Sequence, residues 1–251
     1  MGDDMRNVSF LGFVLCLMLA GCATTGNVES QDQQSDSTDE FGIKVIGPSL
    51  PMVAPTENEE AMVAYNLGTQ YLWENRLEEA ERHLKKAIDL DPLFVDAMDH
   101  LGMVYRRQNR LAEAEEIYLR SIGLNGENKV PYQNLAIVYR MQNRLAEAFE
   151  LYRTLVLLDQ DDTEGYYGMG ELFFTVRDYE NAMVFFDEAI RLYIRSNSPY
   201  VYDAYFYKGV ILYYQNKYEE ALVYLQEARK GNPNNATLES IINEIRRMGY
   251  L

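Results

Sequence analysis

From Ala61 onward the chain sets small and large apolar residues at helical spacing, with charged residues between them, and the pattern returns every 34 positions. Ala80, Ala114, Ala148 and Ala182 lie 34 residues apart, and Ala221 follows after 39. Twelve residues before each alanine stands a small residue: Gly68, Gly102, Ala136, Gly170 or Gly209. Three residues after that small residue comes Tyr71, Tyr105, Tyr139, Phe173 or Leu212. Four after each alanine comes Leu84, Tyr118, Tyr152, Phe186 or Leu225, and seven after it Ala87, Ser121, Leu155, Ala189 or Ala228. Each unit therefore predicts two antiparallel helices that cross at one close contact of small residues, with large residues filling the groove beside it. No single unit of this kind buries its apolar face, so neighbours must stack.

The turn inside each unit repeats as well. Asn75-Arg76-Leu77, Asn109-Arg110-Leu111, Asn143-Arg144-Leu145 and Asn216-Lys217-Tyr218 stand in register. Asparagine tolerates the left-handed backbone that ends a helix, and the apolar residue after the turn begins the packing of the second helix. Unit four departs, with Arg177-Asp178-Tyr179, and five extra residues fall around 194–200, including Ser196-Asn197-Ser198-Pro199. That insertion predicts either a longer second helix in unit four or a short bulged loop. Lys208 stands where earlier units have Leu67, Leu101, Leu135 and Met169. After Pro233, the residues Leu238, Ile241, Ile242 and Ile245 share one helical face, as a helix closing the open end of a stack would require.

This spacing resembles the tetratricopeptide repeat over about 61–235. The resemblance implies an all-α, right-handed solenoid of about five helix pairs (61–94, 95–128, 129–162, 163–201 and 202–235), followed by a capping helix in 236–251. It also implies that the first helices line a concave groove through positions 2, 5, 9, 12 and 13 of each unit. Those positions hold Met62, Tyr65, Thr69, Leu72 and Trp73 in unit one, and Asp96, Asp99, Met103, Arg106 and Arg107 in unit two. They hold Val130, Gln133, Ile137, Arg140 and Met141 in unit three, and Glu164, Tyr167, Glu171, Phe174 and Thr175 in unit four. Unit five adds Asp203, Phe206, Val210, Tyr213 and Tyr214. The candidate partner-binding set is Tyr65, Trp73, Arg106, Arg107, Arg140, Tyr167, Phe174, Phe206, Tyr213 and Tyr214. Some members of the family grip a C-terminal carboxylate with a clamp of Lys, Asn and Arg. That clamp is absent, with Tyr65, Thr69, Val130 and Asn134 at its positions.

The groove is instead aromatic with three arginines. Tyr and Trp give a peptide groove large contact area at low entropy cost, and Arg holds a carboxylate or phosphate bidentately. The competing arrangement is a surface ion network in which Arg106 and Arg140 pair with Asp99 or Glu171. The aromatic run at 199–214 fits both a partner patch and the core of unit five.

The N-terminal segment has a different pattern. Residues 10–20 form an apolar run of 11, too short to span a membrane but suited to a signal peptide. The run ends in Leu19-Ala20-Gly21-Cys22, which resembles a bacterial lipobox. The resemblance implies cleavage after residue 21, acylation (palmitate among the acyl groups) of Cys22 and attachment to a membrane facing the periplasm. Ala23 after the cysteine favours the outer membrane. Asp3 and Asp4 stand where such a signal is normally basic, which points to Met5 as the translation start. Residues 22–60 read as a lipidated cysteine and a solvated tether. A flexible segment of that length spans roughly 30–36 Å.

Composition narrows the function. The net charge of −16 argues against a nucleic-acid binder and against adhesion of the protein surface to anionic lipid. With two histidines and two cysteines, zinc sites of the usual kind and a disulfide framework are excluded. His83 and His100 fall on different helices without an evident nucleophile, so neither catalysis nor a cofactor is expected. The sequence thus predicts a membrane-anchored scaffold, not an enzyme, that holds a protein or peptide. Two alternatives are a ligand-binding accessory of a transporter and a pilot or assembly factor for a secretion, pilus or cell-wall complex.

Overall fold

The computed structural model describes residues 56–250. Met5, Cys22, the signal peptide and most of the tether lie outside the described residues. Within them the protein is entirely helical apart from its turns. Five helix pairs follow one another: α1 Glu59–Trp73 with α2 Leu77–Leu90, α3 Val95–Arg107 with α4 Leu111–Leu124, α5 Lys129–Met141 with α6 Leu145–Leu158, α7 Thr163–Thr175 with α8 Tyr179–Arg195, and α9 Val201–Tyr214 with α10 Tyr218–Gly231. A last helix, α11 Ala236–Arg247, follows. Each helix packs chiefly on its neighbours in sequence, and α1 also touches α3, α3 touches α5, and α9 touches α11, which is the packing of a solenoid.

The small residues make the crossings possible. A Cβ added to Gly102 would lie 2.5 Å from the Tyr118 ring, and one on Gly170 would lie 2.9 Å from Phe186. Gly68 and Gly209 stand in the same relation to Leu84 and Leu225, at 2.6 and 2.7 Å. In units one, two, four and five the large residue four after the alanine therefore seats directly on the glycine of the facing helix. Ala80, Ala114, Ala148, Ala182 and Ala221 are all buried.

The turns take the predicted conformation. Asn75, Asn109, Asn143 and Asn216 have φ of 59–60°, and Arg177 adopts φ 63° in unit four without asparagine's tolerance for it. Several first helices begin at a capping side group: Asn58, Asn128 and Asp162 accept the amides of Ala61, Val130 and Gly165, and Asn235 caps α11 through Leu238 N. The five-residue insertion lengthens α8 to 17 residues, against 14 in each other second helix, and then turns at Asn197 with φ 51°.

The two ends differ from the middle. Leu67 is 38% exposed, whereas Leu101, Leu135 and Met169 at the same position are buried. Unit one has no preceding second helix among the described residues to cover it. At that position in unit five, Lys208 buries its stem, sets its ammonium 4.5 Å above the Tyr224 ring and pairs with Asp187. At the C-terminal end, Leu238, Ile242 and Ile245 of α11 join Leu222 and Leu225 in one core.

Candidate partner-binding groove

The last turns of three first helices carry exposed large apolar residues. Trp73, Met141 and Tyr214 occupy the same position of units one, three and five and are 63%, 49% and 56% exposed. The Arg107 guanidinium lies 5.6 Å from the Trp73 ring, and its Nη1 donates to the Leu72 carbonyl at 2.9 Å. Helix periodicity gives these residues one phase, and Arg107 and Thr175 hold the same position in units two and four.

The other candidate aromatics fall into two groups, one in units one and two and one in units four and five. Tyr65 stacks on His100 at 5.1 Å and lies 4.9 Å from Phe94. His100 Nδ1 is 2.8 Å from Thr69 Oγ1, and burial lowers its pKa against the opposing pull of Asp96. Tyr167 lies edge-on to Phe186, Tyr193 and Tyr207. Phe174 and Phe206 meet the same Tyr207 at 5.0 and 5.8 Å. Tyr213 adjoins Tyr214, which stacks on Tyr179 at 5.7 Å. Tyr207 falls outside the five family groove positions. It stacks on Phe186 at 5.1 Å and donates its hydroxyl to Glu171 Oε1 at 2.9 Å. Only its place in the aromatic run at 199–214 signalled it.

Three residues mapped to the groove do not face it. Leu72, Asp99 and Val210 are buried. Val210 joins the core shared with α11. Asp99 accepts hydrogen bonds from Ser121 Oγ at 2.6 Å and Asn128 Nδ2 at 2.8 Å, and so links units two and three. Burial pushes its pKa up to about 6 against the pull of those two donors. Asp99 therefore pairs with neither arginine.

The arginines divide. Arg140 donates from Nη1 to Glu171 Oε2 at 2.5 Å and to the Tyr152 hydroxyl at 3.4 Å. This is the ion-network arrangement, and it holds the guanidinium charged although burial opposes charge. Arg106 has no carboxylate partner among the described residues. Its Nη2 reaches Asn134 Oδ1 at 3.5 Å, and its Nε is buried without a hydrogen bond. At the far end, burial pushes up the carboxyl pKa values of Glu164 and Asp203, with Tyr193 donating to Glu164 at 3.3 Å. The first helices thus carry a carboxylate-free guanidinium in unit two, next in sequence to the arginine that meets the exposed tryptophan, and an acidic, tyrosine-rich stretch in units four and five.

Tetratricopeptide-repeat family models match residues 65–128, 132–156, 163–193 and 202–235, together more than half of the sequence. No curated protein sequence matches it. Among solved structures, the protein superposes on one of the APC/C Cut9–Hcn1 hetero-tetramer with a TM-score of 0.67 and 21% identity, covering 77% of this chain but only 38% of that one. It is similar to Pseudomonas aeruginosa pilF with a TM-score of 0.66 and 21% identity, over 76% of this chain and 84% of that one. It is similar also to YrrB, described as a TPR protein with an unusual peptide-binding site, with a TM-score of 0.54 and 23% identity, over 74% and 94% of the two proteins. At these identities the likeness is one of fold.

Proposed function

We propose, since the protein belongs to the tetratricopeptide-repeat family, that it is a membrane-anchored extracytoplasmic scaffold whose concave groove holds an extended segment of a protein partner. One observation carries the groove reading. Trp73, Met141 and Tyr214 recur at one position of the first helices of units one, three and five, with Arg107 and Thr175 at that position in the units between, and stay about half exposed or more. Exposed large apolar residues at a repeated position are what an interface uses and what a free surface avoids. That YrrB has a described peptide-binding site on the same fold is consistent with this use. The anchor rests on the Leu19-Ala20-Gly21-Cys22 motif after its apolar run, with the outer membrane as the expected destination.

Two measurements test the proposal. Trp73→Ala with Tyr214→Ala is expected to abolish partner capture from membrane extracts and to leave helical content intact. Cys22→Ser is expected to block palmitate labelling and to release the protein from the detergent phase. Capture that survives the first change moves the site off the groove, and detergent partitioning that survives the second removes the lipid anchor.

A further inference from the structure

We propose that Arg106 is the docking point for a carboxylate carried by the groove's partner, either an Asp or Glu residue or a free C-terminus. The inference rests on the groove reading and specifies the chemistry that the groove selects.

Two equivalent sites lie one unit apart. Arg106 and Arg140 stand at the same position in the last turns of the first helices of units two and three. Each lies beside the tyrosine of its own second helix, Tyr118 or Tyr152. At the Arg140 site the third member is Glu171, 31 residues on, which takes Nη1 at 2.5 Å. At the Arg106 site the residue 31 further on is Ile137, which cannot accept a hydrogen bond. The two sites share guanidinium and phenol, and only one has a carboxylate. The consequences are visible in the polar atoms. Arg106 Nε and the Tyr118 hydroxyl are both buried with no hydrogen-bond partner among the described residues. The one side-chain hydrogen bond of Arg106, to Asn134 at 3.5 Å, is at the limit of such a bond, and its other polar neighbour is the Tyr118 phenol.

A guanidinium cannot relieve this by losing its proton. A buried donor left without an acceptor is unfavourable, and such groups in native proteins call for an explanation. An acceptor brought by the partner supplies one. A carboxylate fits better than a phosphate: it is what the protein itself uses at the next unit, and a single guanidinium with Ile137 in place of a second polar group, on a protein of net charge −16, neutralises a monoanion more fully than a dianion. Arg107 at the neighbouring position also has no carboxylate partner among the described residues. Its charge adds to the attraction of an acidic group toward Trp73.

Trp73 is the only tryptophan, so its fluorescence reports occupancy of this end of the groove without a label. The full-length protein in detergent micelles would be titrated with a panel of nine-residue peptides of varied sequence. Each peptide would be made with a free C-terminus and as the C-terminal amide, and each with Asp or Glu and with Asn or Gln at the acidic positions. The expected result is that binders need a carboxylate, and that removing it weakens binding at least tenfold. Loss on amidation assigns a free terminus, and loss on Asp or Glu replacement assigns an acidic residue.

Arg106→Gln, or Arg106→Met where folding demands a side chain of similar length without charge, is expected to lose the preference, while Arg140→Gln keeps it. Ile137→Glu installs inside the protein the carboxylate that Glu171 gives Arg140. It is expected to raise the melting temperature and to remove carboxylate preference together, a combination that a merely structural arginine would not produce. The inference is overturned if peptides bind but Arg106→Gln and Ile137→Glu retain full preference, if neutral peptides bind as tightly, or if phosphopeptides are preferred. If no peptide in the panel moves Trp73, the groove reading falls and this inference with it.

Discussion

The ring of Tyr152, on the second helix of unit three, occupies the space where a Cβ on Gly168, on the first helix of unit four, would stand. That atom would lie 2.5 Å from Tyr152 Cδ1. Unit three has Ala136 where the other units have glycine, so its tyrosine seats against the next unit instead. Gly168→Ala is accordingly expected to destabilise the protein by about 1–3 kcal/mol through overpacking, although alanine is the better helix former by about 1 kcal/mol. Denaturant unfolding measures the loss. The double change Gly168→Ala with Tyr152→Leu should recover part of it, and full additivity of the two would refute the contact. Because units are held by their neighbours, hydrogen exchange should quicken in units three and four together.

Unit four also has a site that can be improved. Arg177 is held at φ 63° in a turn whose counterparts are asparagines. A left-handed conformation costs an ordinary residue about 1–2 kcal/mol, and glycine avoids that penalty. Arg177→Gly is expected to stabilise by about 0.5–1 kcal/mol and Arg177→Asn by less, with a shift of roughly 2–4 °C in melting temperature per kcal/mol in a protein of this size. A calorimetric scan in which both variants melt below wild type would show that the arginine has a compensating contact.

The pH dependence follows from Asp99. Its pKa rises from the ordinary 3.8 to about 6 on folding, because burial opposes the charge more than Ser121 and Asn128 favour it. Asp96 on the same helix adds like-charge repulsion, and the tyrosines that face it, Tyr65 and Tyr118, are neutral in this range. Between 3.8 and about 6 the folded state holds more protons than the unfolded state, so this group's contribution to stability falls as pH rises through that window. Asn at 99 can still accept from Asn128 and donate to Ser121. Asp99→Asn is therefore expected to be more stable than wild type at pH 7, by up to roughly 3 kcal/mol at about 1.4 kcal/mol per pKa unit, with the advantage vanishing below about pH 4. Paired urea titrations across roughly pH 3.5–7.5 test this. The difference between the two proteins isolates Asp99 from carboxylates such as Glu81 and Glu147, which hydrogen bonds shift the opposite way.

The fold was legible because its determinants are local and periodic. Small residues at crossings, asparagines in left-handed turns and a five-residue insertion each act within one helix pair, and each reappears in the structure where the spacing put it. The groove was legible only in part. Trp73 and Tyr214 could be placed at exposed positions from helix phase alone. Asp99 could not be told from its groove-facing counterparts, because its burial depends on Ser121 and Asn128, two residues in other elements that happen to offer it donors. Tyr207 was missed because its hydroxyl finds Glu171 across 36 positions of sequence. The two arginines looked alike because what separates them is the residue 31 positions on, and helix phase by itself does not couple a residue to the next unit.

By sequence alone Arg106 and Arg140 are both surface charges whose removal should leave folding untouched. The structure makes them unequal. Arg140→Gln strips a cation from Glu171, which is only 15% exposed, and also ends the contact with Tyr152. A charge-assisted hydrogen bond contributes about 1.5–3 kcal/mol, and Glu171 retains Tyr207 as a donor, so a loss in the lower part of that range is expected. Arg106→Gln removes a guanidinium that satisfies no carboxylate and replaces it with a neutral donor within reach of Asn134. Its expected effect is within about 0.5 kcal/mol of zero, as for surface changes away from a specific partner, or slightly stabilising. Denaturant midpoints of the two single variants and the double variant decide the matter. A destabilisation of Arg106→Gln equal to that of Arg140→Gln would mean that Arg106 already has an internal partner, and its part in recognising a carboxylate would have to be given up.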